Sequence, residues 1–271
     1  AVNERPRLPD FASWTQLING WGGSQQVHQD IQELLVDTSQ ANTFYVGSDG
    51  GLWKSTDGGA SFLEKNANLS FAMFYAIGVH PTAIGTVCGG AQDNSSLARE
   101  SSDVWDLQAV TGDGFVCAIN PLEPNYAYIT SYPNGGYPNV SRATDGIYGS
   151  FSGITGAGSG IISGDRINWV TPYLLDPVTP STLYLGTHRV YKSTNYGTRW
   201  DPVSGDLTGG SGEVLSLEVN RSFPSVVYAG TTSGRVWRSA DGGAKWTDIT
   251  SGLPASRSIN DLAADPTDPG R

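Results

Sequence analysis

Ser55-Thr56-Asp57-Gly58-Gly59-Ala60-Ser61-Phe62 decides how this chain is read, because two later stretches repeat it. Ser193-Thr194-Asn195-Tyr196-Gly197-Thr198-Arg199-Trp200 and Ser239-Ala240-Asp241-Gly242-Gly243-Ala244-Lys245-Trp246 share its pattern, Ser-x-Asp/Asn-x-Gly-x-x-aromatic. A degenerate copy, Ala143-Thr144-Asp145-Gly146, stands between them. Each part of the pattern has a physical task. An Asp or Asn side chain accepts hydrogen bonds from nearby backbone N–H groups in a turn. Glycine takes the φ > 0 position, and the aromatic ring folds back to plug the hairpin.

Upstream of each copy lies a unit of one design. It has an apolar strand, a turn opened by Asp, Asn or His, a second apolar strand, and a third carrying Trp53, Tyr191 or Trp237. The turns open at Asp37, His80, Asn120, Asp176, Asn220 and Asp265, spaced 43, 40, 56, 44 and 45 residues apart. A period of ~40–50 residues with four strands per unit marks a β-propeller blade. The long interval holds a Gly/Ser-rich stretch, residues 146–164, which reads as a loop insertion. A lone four-stranded sheet leaves an apolar face bare, whereas stacked units cover one another. The expected fold is all-β: a β-propeller of four-stranded blades, about six repeat units, one of them incomplete or shared.

Five units, beginning near His28, Phe74, Gly112, Asn168 and Glu213, have all their strands. A sixth has only its first strand, residues 259–265, and residues 12–19 read as a fourth strand without its own blade. Residues 1–26 are thus an N-terminal segment with a stray outer strand, and 27–271 the propeller. The chain is expected to be a piece of a longer repeat protein, or to share one blade with another chain.

Composition narrows the partners. Of 271 residues, 35 are Gly, and only 15% are charged, against the usual ~25%. The net charge of −10 gives no basic footprint for nucleic acid. No apolar run reaches ~18 residues, so no membrane insertion is expected. The first residues lack a basic and an apolar region, so a signal peptide is absent from this chain. An acidic surface suits a neutral glycan, a divalent cation or solubility outside the cell. Cys88 and Cys117 are too few for a zinc site or a disulfide framework; they are read as two buried thiols or, if adjacent blades bring them together, as one bridge.

The three turns resemble the Asp-boxes of the Asp-box or BNR-repeat family, which includes sialidase-like, sortilin-like and xyloglucanase-like β-propellers. Gly89-Gly90-Ala91-Gln92-Asp93-Asn94 and Gly112-Asp113-Gly114-Phe115 look like secreted bacterial BNR-repeat proteins of unassigned function, over roughly residues 27–271. The resemblance implies an extracellular or periplasmic protein. It also implies structural work for Asp57, Asn195 and Asp241, since such boxes lie at the blade periphery. A sialidase-like member would need an arginine triad. Here Arg5 and Arg7 stand in a segment without strand character, and the other arginines fall mostly in hairpins or third strands. A xyloglucanase-like member would set two carboxylates across a cleft between two propellers. Asp113, at the start of an inner strand, is the residue for such a base. His28, His80 and His188 stand in no Ser-His-Asp arrangement.

In a propeller the first strands line the central channel. Acids stand at or just before several of them: Asp30 (with His28), Asp113, Asp165 (with Arg166), Glu213 and Asp261 (with Asn260). The second unit offers Phe74 and Tyr75 instead. Asp30, Asp113, Asp165 and Glu213 converging on one mouth would repel unless a hard cation such as Ca²⁺ lay between them. Tyr126, Tyr128, Tyr132 and Tyr137 flank a Gly-rich segment and suit sugar stacking or protein contact. The function expected is a non-catalytic binding or assembly module, its partner a glycan, a protein or another copy of the chain. The alternative is a glycoside hydrolase or polysaccharide lyase with acids at the channel mouth.

Overall fold

The computed structural model describes residues 17, 27–28, 30–67, 69, 72–101, 104–109, 112–254, 257–268 and 270. They fall into two compact units, residues 1–72 and 73–271. No helix occurs among the described residues.

In the first unit β1 (Ile31–Val36), β2 (Phe44–Ser48), β3 (Gly51–Ser55) and β4 (Leu63–Glu64) pair in chain order as an antiparallel meander. Val27, Val46 and Trp53 form its core, with Phe44 and Phe62 against them. Of the segment 12–19, only Leu17 lies among the described residues.

The second unit repeats the meander four times. Its first sheet is β5 (Phe74–Val79), β6 (Val87–Ala91), β7 (Ser96–Arg99) and β8 (Asp106–Ala109). The next is β9 (Gly114–Ile119), β10 (Ala127–Asn134), β11 (Tyr137–Ala143) and β12 (Ser152–Gly153). Then come β13 (Tyr173–Leu175), β14 (Leu183–Gly186), β15 (Val190–Ser193) and β16 (Asp201–Pro202). The last is β17 (Val214–Val219), β18 (Val227–Thr231), β19 (Val236–Ser239) and β20 (Thr247–Asp248). Every sheet is paired in strict chain order, the blade architecture of a β-propeller. Beyond β20, residues 259–265 run beside β17 without forming a strand. There Ile259 N–H donates to Thr231 O, and Ser216 donates to Ile259 O.

The repeated turns work alike wherever they occur. Ser55, Ser193 and Ser239 each donate to the Asp or Asn two residues on, and each accepts the N–H of the glycine four residues on. Asp57, Asn195 and Asp241 in turn accept the N–H of Ser61, Arg199 and Lys245. Gly59, Gly197 and Gly243 all have φ > 0, and so does Tyr196 just before its glycine. The turns between first and second strands are equally uniform. Asn120, Asp176 and Asn220 each accept the N–H groups two and three residues ahead. His80 does the same through Nδ1, accepting from Thr82 and Ala83.

A donor pair clasps one sheet of the second unit to the next. Tyr128 on β10 faces Arg142 on β11, and both donate to Tyr196 O of the following sheet. Tyr184 and Lys192 repeat this toward Gly242 O, one sheet later. In β6 the tyrosine's place is taken by Cys88, which forms a disulfide with Cys117 on β9, Cα to Cα 5.9 Å. Of the two readings of this pair, the structure shows the bridge and corrects the free thiols. Sheet stacking brings Cys88 and Cys117 together across 29 residues, and both are buried. The Gly/Ser-rich stretch is not all loop either. It supplies β12 and buries Ile147, Ile154 and Ile161.

Candidate functional site

The two phrases Gly90–Asn94 and Gly112–Phe115 interlock in the second unit. Asp93 N–H donates to Asp113 Oδ1 at 2.9 Å, and Ser95 N–H to Gly112 O at 2.6 Å. A Cβ on Gly114 would strike Ser95 O, and one on Gly90 would strike Phe115 O, so both positions need glycine. Asp93 and Ser95 have φ of 56° and 63°. Left-handed non-glycine residues cost energy and gather at functional sites. Here they hold the β6–β7 turn against the carboxylate of Asp113.

Beside Asp113 runs a chain of aromatic rings. Tyr75 meets Phe115 edge-on at 4.9 Å, and Phe115 meets Trp169 at 6.0 Å. Trp169 is stacked nearly parallel on Tyr132, at 5.2 Å and 7°. Phe115 is fully buried, while Trp169 is 55% and Tyr75 45% exposed. Tyr132 thus backs one face of an indole that is open to solvent elsewhere. Burial, then the negative charges of Asp113 and Asp93, push the Tyr75 hydroxyl above its usual range.

The next sheet carries a polar knot. Asp165, 8% exposed, accepts from Thr187 and, at 2.6 Å, from Tyr191. Arg189 Nε lies 3.2 Å from its Oδ2, an ion pair too bent for a hydrogen bond. Burial, with the Asp165 hydrogen bond, pushes Tyr191 up to about 12. Burial lowers His188, whose ring lies between Asp165, Arg189 and Arg166. Arg166 reaches Asp206, Thr208 and Gly212 O. Burial alone would raise Asp206, but the Thr208 hydroxyl and Arg166 outweigh it and hold the carboxyl well below the carboxylate range.

Within the second unit the expected acids are engaged by different partners. Asp113, Asp165 and Glu213 form no three-acid cluster among the described residues. Asp113 is tied to the Asp93 amide, Asp165 sits in its ion-pair knot, and Glu213 meets Thr232. Asp30, exposed with φ 56°, belongs to the first unit. The four tyrosines do not make one platform. Tyr128 is buried in the sheet-to-sheet clasp and offers a ligand no surface. Tyr126 stacks on Tyr196 at 4.0 Å, and Tyr137 packs against the core. Only Tyr132 joins the aromatic run beside Asp113. Trp169 and Phe115 are the residues that reading for acids and tyrosines passes over. Their signal is an aromatic at or just before an inner strand, the place Tyr75 occupies one sheet earlier.

No family model matches this chain. Over 138 residues it is 27% identical to a xyloglucanase of Hypocrea jecorina (strain QM6a), a match covering 47% of this chain and 16% of that protein. Among solved structures it is similar to an ancestral GH74 enzyme, with TM-score 0.58 and 21% identity, over 90% of this chain and 33% of that one. It is also similar to the extracellular domain of a one-component system from B. thetaiotaomicron, with TM-score 0.51 and 13% identity. That likeness covers 84% of this chain and 28% of the other. The chain thus spans a third or less of the length of each of these three proteins. At these identities the structural likeness establishes the fold, a β-propeller.

Proposed function

We propose that this chain belongs to a secreted, carbohydrate-active β-propeller protein of glycoside-hydrolase type, and that its repeated turns are Asp-boxes. The observation that carries the reading is the half-open Trp169 indole, backed by Tyr132 and by Phe115, which stands two residues from Asp113 in the chain. A sugar ring presents an apolar C–H face, and a rigid, backed indole binds it with little entropy to lose. The ligand is a neutral glucan of the xyloglucan kind, in keeping with the xyloglucanase likeness and a protein of net charge −10. The Cys88–Cys117 disulfide supports an oxidising, extracellular compartment.

The test uses soluble xyloglucan and measures both retention of the protein and release of reducing ends. Wild-type protein is expected to bind, and Trp169→Ala to bind about tenfold more weakly, the worth of roughly one stacked ring. Equal binding by Trp169→Ala would overturn the rim as the ligand site. Reducing-end release abolished by Asp113→Asn would establish Asp113 as acid or base. A second reading, binding without cleavage, is favoured by the tie between Asp113 Oδ1 and the Asp93 amide. Binding with no reducing ends released by the wild type would decide for it.

A further inference from the structure

The fourth and fifth sheets place an aromatic pair at the same two positions in different settings. In the fourth sheet Tyr191 on β15 and Trp200 after the turn are fully buried. The Gly/Ser-rich segment lies over them. Trp200 Nε1 donates to Ile154 O at 3.1 Å, Trp200 N–H donates to Ser159 O, and Ile162 N–H donates to Tyr191 Oη at 3.2 Å. In the fifth sheet the equivalent positions are Trp237 on β19 and Trp246 after the turn. Their covering segment is short. Val203 O accepts Trp246 Nε1 at 3.0 Å and Leu207 O accepts Trp237 Nε1 at 2.7 Å, and the chain then turns away into β17. Both indoles stay only half-buried. They open on a groove of about 680 Å³, lined also by Pro202, Val203, Leu207 and Asp206.

That volume lies within the roughly 300–1,000 Å³ of ligand clefts. With both indole N–H groups held by backbone carbonyls, the rings are fixed, and ring surface is what they offer a ligand. Asp206 is the one charged lining residue, and Arg166 and Thr208 already engage it. A fixed aromatic lining without a free charge selects a neutral ligand with apolar faces.

We infer that this groove is a carbohydrate-binding site separate from the Trp169 rim, taking a short stretch of a neutral glycan chain. The inference rests on the reading of this protein as glycan-directed. Sugar C–H faces pack on Trp237 and Trp246, while the hydroxyls remain in the water that an open groove admits.

The test follows the indole N–H signals of ¹⁵N-labelled full chain by NMR during titration with cellohexaose. Trp169→Phe, Trp237→Phe and Trp246→Phe assign the three signals that matter. The Trp237 and Trp246 signals are expected to move saturably in the wild type and equally in Trp169→Ala. Trp246→Ala, or Trp246→Tyr if the alanine variant does not fold, is expected to weaken this binding about tenfold. If Trp169 responds while Trp237 and Trp246 do not, the groove is overturned and the rim survives. If the groove signals move and Trp169 stays still, the groove stands and the rim reading falls. Silence at all three with cellohexaose and with xyloglucan overturns both. A response to a synthetic copy of residues 156–165 without any to cellohexaose assigns the groove to a protein segment and overturns the carbohydrate inference.

Discussion

Asp57 shows how much one residue of a repeated turn can carry. The Ser61 hydroxyl, then the Ser61 amide, hold its carboxyl at about 2, against an ordinary 3.8. The Lys245 amide and the Ser239 hydroxyl lower Asp241 in the same way. A carboxylate whose folded pKa is depressed adds stability above its unfolded value, and loses it as pH falls through the folded one. The thermal midpoint is therefore expected to hold above about pH 4 and to fall between about pH 4 and pH 2. Asp57→Asn with Asp241→Asn should flatten that fall, as scanning calorimetry over pH would show; an unchanged slope would refute the assignment. Ser193 is the untitratable counterpart. Ser193→Ala removes one donated and two accepted hydrogen bonds at a buried site, and should cost about 1–3 kcal/mol by urea unfolding. These roles were legible in the sequence because every partner lies within four residues. The same holds for His80, whose place in the period identified it as a turn residue although a ring nitrogen replaces the usual carboxyl or amide oxygen.

At the level of strands and sheets, the glycines and the disulfide decide how closely neighbouring blades approach. Gly114→Ala would drive a Cβ into Ser95 O and push β9 away from the β6–β7 turn. A loss of about 1–3 kcal/mol is expected, with little change in the cooperativity of urea unfolding. Removing the disulfide in Cys88→Ala/Cys117→Ala opens a loop of 29 residues, which chain entropy values at roughly 3–4 kcal/mol. A double variant as stable as the wild type would mean that the hydrogen-bonded clasps alone hold these sheets. The long strands were readable from alternation and from the turns that bound them. β12 was not, because a two-residue Ser-Gly strand has no pattern and exists only through its pairing with β11. The tyrosine-to-basic clasp recurs at one register, Tyr128 with Arg142 and Tyr184 with Lys192. Its meaning emerges only when the acceptor carbonyl of the next sheet is in view.

For the whole molecule, the glucan binding proposed above would rest on stacking rather than ion pairing, in keeping with the low charge density. Binding of a neutral glucan should accordingly change little between about 50 mM and about 500 mM salt, since screening acts on charges and not on C–H contacts. A steep salt dependence in a retention assay would contradict the stacking mechanism. The sequence by itself determined the all-β class, the forty-odd-residue period and the identity of each turn residue. Those properties rest on hydrogen bonds and dihedrals confined to a few neighbouring residues. Tertiary structure alone decided that Cys88 meets Cys117 and that Tyr132 lies under Trp169 while Tyr128 is lost to the core. It also decided that Trp246 opens on a groove where Trp200 is sealed. Each of these joins residues from different sheets. Such distances are set by how one blade stacks on the next, which no local pattern encodes.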